Sequence, residues 1–350
     1  MPLPPSHSQT NLAFWIGGAA MALSGLFAAA AGMLQAGRRQ TSRDELGFLT
    51  LWRPLLLHPA RATMPAVLPM LETRHRLFFL KLWNQSMRNA DAGAADGLAA
   101  LARAVDCDRF CRRMLLRGER VERLLAALTL GQLRDHAAWD SLVNLTMSAD
   151  GELSLQAFHA MLRIDAEAAA SQSTPLLLAR HDWPVAQLAA MLQPVQGAFM
   201  QPLVAALAET RAAHLPRALR LVEALRLPLP QAAVLPLLQE AHDTNVLLGA
   251  LRLVRDVGLL PYARPHLRHD DWRVRVQAAK ALGRVGEHAD ANRLIPLLGD
   301  AEWWVRYRAA QALAGMSFFS SAELELLRAN LSDRYARDIL GQVLAERQAA

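Results

Sequence analysis

Between His269 and Gly315 the chain carries the same pattern twice. Val274 and Arg275 recur as Val305 and Arg306, an offset of 31 residues. Trp272 and Trp303, the pairs Ala278–Ala279 and Ala309–Ala310, and Leu282 and Leu313 keep that register. Within a copy the apolar residues Val274, Ala278, Ala281, Leu282 and Val285 are spaced by threes and fours, which places them on one stripe of a helix. Gly286 is placed to end that helix, and residues 292–298 supply a second, shorter apolar stripe. Neither helix can bury its face alone, so hairpins of this period must stack on their neighbours. The expected fold class is therefore all-α, a solenoid of helical hairpins over residues 73–350.

Asp270, Asp271 and Asp300 precede the first helical turns. There a carboxylate can accept from free backbone N–H groups or meet an arginine such as Arg275 or Arg306 of an adjoining repeat. Fainter copies lie upstream. Residues 153–164 align with 274–285 through Gln156/Gln277, Ala157/Ala278, Ala160/Ala281 and Arg163/Arg284. Ala218–Val222 recurs as Ala250–Val254, and Asp182, Trp183, Pro184 and Val185 echo the entry turn. At about thirty residues per hairpin there is room for roughly eight hairpins after Leu98. The last stretch, with Asp333 near its start and charged outer positions, predicts a capping helix.

The pattern Asp-x-x-Trp-x-Val-Arg-x-x-Ala-Ala-x-Ala-Leu-Gly resembles the HEAT repeat over Asn245–Leu331. It is most similar to the short HEAT-like type also found in phycobilin lyases and many bacterial adaptor proteins. The resemblance implies a surface that holds a partner protein. Its alternative implication is a lyase-like enzyme or chaperone acting on a tetrapyrrole. A third HEAT-like type, the deoxyhypusine hydroxylases, uses repeated His-Glu pairs to hold iron. This chain has only the reversed Glu287-His288 and is excluded from it.

Asn11 to Gly37 contains no charged residue. As a helix, Leu12–Leu34 would span about 34 Å, enough for the hydrocarbon core of a bilayer. Trp15 sits where an interfacial anchor would. A cleaved signal peptide would need a basic amino-terminal region, and Met1–Thr10 has neither Lys nor Arg. Arg38, Arg39 and Arg43 follow instead. The expectation is a tail over residues 1–11, a transmembrane helix over 12–36 and a connector or cap over 37–72. By the positive-inside rule the amino terminus lies outside and the solenoid in the cytoplasm, at the inner (plasma) membrane. Ala20, Ser24, Ala28 and Gly32 form a small-residue seam, of use to an Ala-rich anchor or to a second membrane helix. The connector is apolar but broken by Pro54, Pro59, Pro65 and Pro69. It reads as a cap that touches the membrane, with Trp52 and Arg53 as candidates for headgroup level.

Charge supports this arrangement. From Arg38 to Arg123 there are 16 basic and 9 acidic residues, while the whole chain carries +6. A basic excess beside a membrane segment suits anionic headgroups, and no nucleic-acid-binding motif accompanies it. Only Lys81 and Lys280 are lysines, an arginine bias read here as coding composition. Cys107 and Cys111 are the sole cysteines, too few for a metal site and ill-placed for a helical disulfide, so they read as idle thiols. Asn89–Gly97 reads as a loop before helices near Leu98–Val105, Arg109–Arg117 and Arg120–Arg134.

No catalytic constellation stands out: no Walker loop, dinucleotide fingerprint or Gly-x-Ser-x-Gly turn, and eleven scattered histidines. No cofactor, metal or small-molecule substrate is expected, and the chain reads as non-enzymatic. The working surface is sought where the two copies differ. Arg273, Val276 and Gln277 of the first are replaced by Trp304, Tyr307 and Arg308 in the second. Trp, Tyr and Arg are the residue types enriched at interface hot spots. Trp304, Tyr307, Arg308 and Arg273 are therefore the candidate partner-binding residues, and Arg38, Arg39 and Arg43 the membrane-proximal basic ones. Trp272 and Trp303 are expected to pack between repeats. The reading is a membrane-anchored scaffold for a protein that is itself membrane-bound; resemblance to membrane-anchored bacterial HEAT proteins implies a place in envelope polysaccharide assembly.

Overall fold

The structure is a computed structural model that describes residues 47–57, 68–209, 213–239 and 243–349. The expected membrane helix over 12–36 and the basic residues Arg38, Arg39 and Arg43 lie outside the described residues. Among those described, no helix is long and apolar enough to cross a membrane. They form helices joined by short turns, without a strand. The contacts divide the chain into two compact units, Met1–Asp135 and His136–Ala350.

The first unit contains α1 (residues 47–57), α2 (Arg76–Asn89), α3 (Ala92–Ala104), α4 (Cys107–Arg117) and α5 (Arg120–Gln132). Phe48, Trp52 and Leu56 lie on one face of α1 and are buried. Trp52 meets Phe79 edge-on at 5.0 Å, and Phe48 lies 5.2 Å from Phe78. Trp52 thus faces protein, as a cap would have it, while Leu51 and Leu57 are exposed on the other side. Trp83 is buried and donates to the Leu98 carbonyl at 2.8 Å. Asn84, also buried, donates to the Leu80 carbonyl and to Thr129, both at 2.8 Å. Cys107 and Cys111 are free and buried. Burial pushes the Cys107 thiol up to about 12 and raises that of Cys111 as well.

One sequence expectation fails here. Most of the supposed loop Asn89–Gly97 is helix, because α3 starts at Ala92. The Asp91 side chain accepts from the Ala94 N–H at 2.8 Å. That cap, with the buried Leu98, Leu101 and Ala102, offsets the low helix propensity of Gly93 and Gly97.

The second unit runs α6 (Trp139–Thr146), α7 (Gly151–Ile164), α8 (Ala166–Ala179), α9 (Val185–Leu192), α10 (Gln196–Glu209), α11 (Leu215–Leu225), α12 (Gln231–Gln239) and α13 (Thr244–Leu253). It continues through α14 (Leu260–Ala263), α15 (Trp272–Val285), α16 (Ala291–Leu294), α17 (Trp303–Gly315), α18 (Ser321–Asn330) and α19 (Arg334–Ala349). α11, α13, α15, α17 and α19 pack side by side in sequence order, each on the next. The short helices α12, α14, α16 and α18 pack against this row. The row is closest between the two matching copies. A Cβ on Gly283 would lie 2.8 Å from both Cα and Cβ of Ala312, so the α15 and α17 backbones meet there. Only small residues permit this, and Ala278, Ala279, Ala309 and Ala310 are all fully buried.

Helix entries follow the sequence. Asp271 caps α15 through the Arg273 N–H at 2.8 Å, and Asp333 accepts from the Tyr335 N–H at 2.7 Å at the start of α19. Arginines join consecutive turns. Arg275 donates to the carbonyls of His269 and Asp270 at 2.8 and 3.0 Å and grips both oxygens of Asp300 at 2.8 Å. Arg306 bonds the Asp300 and Ala301 carbonyls at 2.7 and 3.1 Å, and Arg337 those of Leu331 and Ser332 at 2.8 and 3.1 Å. Upstream, Arg180 reaches Thr146 and Ser148, and the buried Arg217 reaches Leu177 and Trp183. The arginine content therefore has a structural use, since a guanidinium can answer two carbonyls at once and an ammonium is a single point. Asp290, fully buried, is held by Arg264 at 2.7 and 3.0 Å and by the Glu287 N–H at 3.0 Å. Burial opposes its charge, but those bonds outweigh it and hold its pKa below the ordinary value.

Four outcomes test this account. Arg275→Lys should lower stability by about 1–2 kcal/mol, because two carbonyls and a carboxylate lose their shared donor; urea titration followed by circular dichroism measures it. Gly283→Ala should cost about 1–3 kcal/mol in the same assay through overpacking. Gly197→Ala in α10, which meets no atom within 4 Å, should instead be neutral or stabilising by up to about 1 kcal/mol. Asp290 has a depressed pKa, so its contribution is present above the ordinary value of 3.8 and lost as pH falls below it. Asp290→Asn should accordingly flatten the acid limb of the stability profile measured between pH 5 and pH 2 (about the range where such a group titrates).

Candidate functional site

The second copy begins α17 with Trp303 and Trp304, and its acidic predecessor Glu302 stands at the N-cap position. Position 305 is the first to turn inward, and Val305 is fully buried. The two tryptophans therefore flank the buried stripe and stay outside it. Trp303 is 41% exposed and Trp304 49%. This corrects the expectation that Trp272 and Trp303 pack between repeats, since Trp272 is also 36% exposed. In the second unit Trp183 packs inside, fully buried, stacked on Phe158 at 5.3 Å and donating to Ser154 at 2.9 Å.

Three aromatic rings gather at the start of α17. Trp303 stacks on Tyr307 with centroids 5.0 Å apart and planes 9° off parallel. Trp304 stands edge-on to Trp303 at 4.8 Å and to Tyr307 at 6.5 Å. Spacing of four makes the first pair neighbours on the helix surface. Tyr307 is tied to the last helix, its hydroxyl donating to Glu346 at 2.8 Å. That bond raises the phenol's pKa, as the carboxylate stabilises the protonated form. Arg308 holds its guanidinium 5.5 Å from the Tyr307 ring and donates to Gln311 at 2.6 Å. The structure thus brings together Trp304, Tyr307 and Arg308, and adds Trp303 to them.

Arg273 stands apart. It holds the register position of Trp304 on the preceding helix α15 and pairs with its own cap residue, Asp271, at 2.6 Å. Hydrogen bonding from Arg273 in turn keeps the Asp271 carboxyl below its usual range. Arg273 is exposed, but its charge is locally matched.

Two concave features escaped the sequence reading. A shallow groove of about 410 Å³ lies between α17 and α19, lined by Gln311, Ala314, Gly315, Val343, Glu346 and Arg347. It continues the face that carries Tyr307 and is made possible by the small residues at the end of α17. In the first unit a groove of about 460 Å³ lies among α1, α2 and α3, with Leu49, Leu56, Leu82 and Leu98 beside Arg53, Gln85 and Asp91. Both depend on residues far apart in sequence. Among the described residues, no group of three or more His, Cys, Asp or Glu side chains could hold a metal ion.

The architecture agrees with the comparison to known families. Residues 232–314 and 261–345 match the family model for HEAT repeats. No curated protein matches the chain. The matched region covers α12 to α19, the part of the chain where the 31-residue register and the arginine junctions coincide. HEAT repeats stacked as a helical solenoid, an architecture that suits a protein-interaction scaffold, are what this carboxy-terminal part of the chain supports.

Proposed function

We propose that the protein is a membrane-tethered, non-enzymatic scaffold whose HEAT-like array captures a partner protein through the Trp303–Trp304–Tyr307–Arg308 cluster. The exposed aromatic triad carries the reading. Three rings held rigid by mutual stacking and by the Tyr307–Glu346 bond present apolar area at little entropic cost, as interface hot spots do. The uncharged stretch 12–36 followed by Arg38, Arg39 and Arg43 supports the tether, with the amino terminus outside and the solenoid at the cytoplasmic face of the inner membrane. In this reading the partner is a membrane protein of envelope polysaccharide assembly, a suggestion that rests on resemblance to anchored bacterial HEAT proteins.

The test is co-purification of the full chain from native membranes, with its companions identified and compared across variants. Trp304→Ala and Arg308→Ala should each weaken partner capture by about 2 kcal/mol, on the order of thirtyfold, if they are hot-spot residues. Unchanged capture by both variants would reject the face, and a carboxy-terminal reporter active only in the periplasm would reject the orientation. A purified protein that carries a tetrapyrrole would favour the lyase-like alternative over the scaffold.

A further inference from the structure

The face that carries the aromatic triad also collects cations from two neighbouring helices of the row, α15 and α17. On α15, Lys280 and Arg284 are one turn apart. Arg284 reaches back to α13, donating to the Leu251 carbonyl at 2.8 Å and lying 3.3 Å from that of Arg252. On α17, Arg308 is one turn before Ala312, and Lys280 is three residues before Gly283. Because Gly283 and Ala312 meet backbone to backbone, Arg308 is set beside Lys280. The carboxylates nearby are already engaged. Glu223 pairs with Arg252 at 3.4 Å, and Glu346 accepts from Tyr307 and Gln342 at 2.8 and 2.9 Å. Among the described residues neither Lys280 nor Arg308 has an ion-pair partner; Arg308 lies over the Tyr307 ring, and its side-chain hydrogen bond goes to the neutral Gln311. Burial disfavours the charge on Lys280, and Arg308, Arg284 and Arg252 disfavour it further. Like charges pressed together in a half-buried patch are costly, and an anion that settles among them relieves that cost.

We infer that this face is a receptor for an acidic peptide segment of the partner, with Lys280, Arg284 and Arg308 taking carboxylates and Trp304 and Tyr307 taking an adjoining apolar side chain. The inference rests on the scaffold reading and names the chemistry of the captured segment. Carboxylates fit better than a nucleic-acid backbone. The cations form a compact patch beside aromatic rings, and the chain beyond Arg123 is close to neutral, whereas nucleic-acid surfaces carry an extended basic stripe. An arginine bound to carbonyls can still offer a free edge of its five-donor fork to a carboxylate.

The experiment uses the full-length chain and a fluorescein-labelled octaglutamate peptide ending in phenylalanine, read by fluorescence anisotropy at low salt. Saturable binding that weakens as salt is added is expected. Lys280→Glu and Arg308→Glu should each weaken it at least tenfold, Trp304→Ala severalfold, and Arg88→Glu on α2 not at all. Lys280→Gln, which removes charge without reversing it, should give an intermediate loss and serves if the reversal variant does not fold. Absence of saturable binding to the wild-type chain overturns the inference, as does binding indifferent to Lys280 and Arg308. A double-stranded oligonucleotide that binds more tightly through the same residues overturns it too. The two readings fail separately. If Trp304→Ala abolishes partner capture but the acidic peptide never binds, the docking face stands and its acidic ligand is rejected. If the peptide binds through Lys280 and Arg308 while Trp304→Ala leaves capture unchanged, the cation site stands without the aromatic one.

Discussion

A helix that ends at a hairpin junction leaves its last carbonyls without partners inside the helix, and in this protein arginine supplies them. Arg275, Arg306 and Arg337 recur at the 31-residue period and make the same pair of bonds, to the carbonyls five and six residues before them. Arg180, Arg217 and Arg284 tie successive hairpins by reaching across them. Each bond is modest, about 1 kcal/mol net, but an unanswered buried carbonyl would cost more than the bond gains. Repeating the solution at the turns before α15, α17 and α19 fixes the pitch of that part of the helix row. With that pitch set, Gly283 can lie against Ala312 and the row can close up.

The exposed face follows from this tight row. When α15 and α17 approach through glycine and alanine, little side-chain volume is left between them, and larger residues are displaced to the surface. Trp303, Trp304, Tyr307 and Arg308 occupy the outer side of α17 for that reason. On α15 the same stripe carries Arg273, Gln277, Lys280 and Arg284, so Trp304 and Tyr307 are aromatic in one copy only, beside a tryptophan (Trp272 or Trp303) that both copies share. A surface that changes chemistry between two otherwise matching copies is a local specialisation on a uniform frame, the arrangement a recognition site needs.

Local pattern and tertiary context divide the account unevenly along the chain. Where the register is strong, residue spacing alone located helix starts at Asp271 and Asp333 and a helix end at Gly286, because caps act over three or four residues. Near Gly93 and Gly97 the same reasoning failed. The stretch 89–97 reads as a loop, but packing of Leu98 and Leu101 outweighs the low helix propensity of Gly93 and Gly97. The structural use of the arginines is not legible locally, because no local spacing shows that a side chain reaches a carbonyl thirty residues away. Trp272 and Trp303 do not pack between repeats as expected, because a residue at the first helical position lies off the buried stripe.

The amino-acid sequence by itself determined the helical class, the 31-residue period, the paired alanines of each copy and the residues in which the two copies differ. All of these are set by spacing along one chain segment. Only the tertiary structure decided that Trp303 joins the candidate cluster and that Arg273 is matched by its own cap. It also brought Lys280, Arg284 and Arg308 onto one face without carboxylates enough to neutralise them. The physical reason is that charge and exposure are properties of neighbours in space, and here those neighbours come from two different helices.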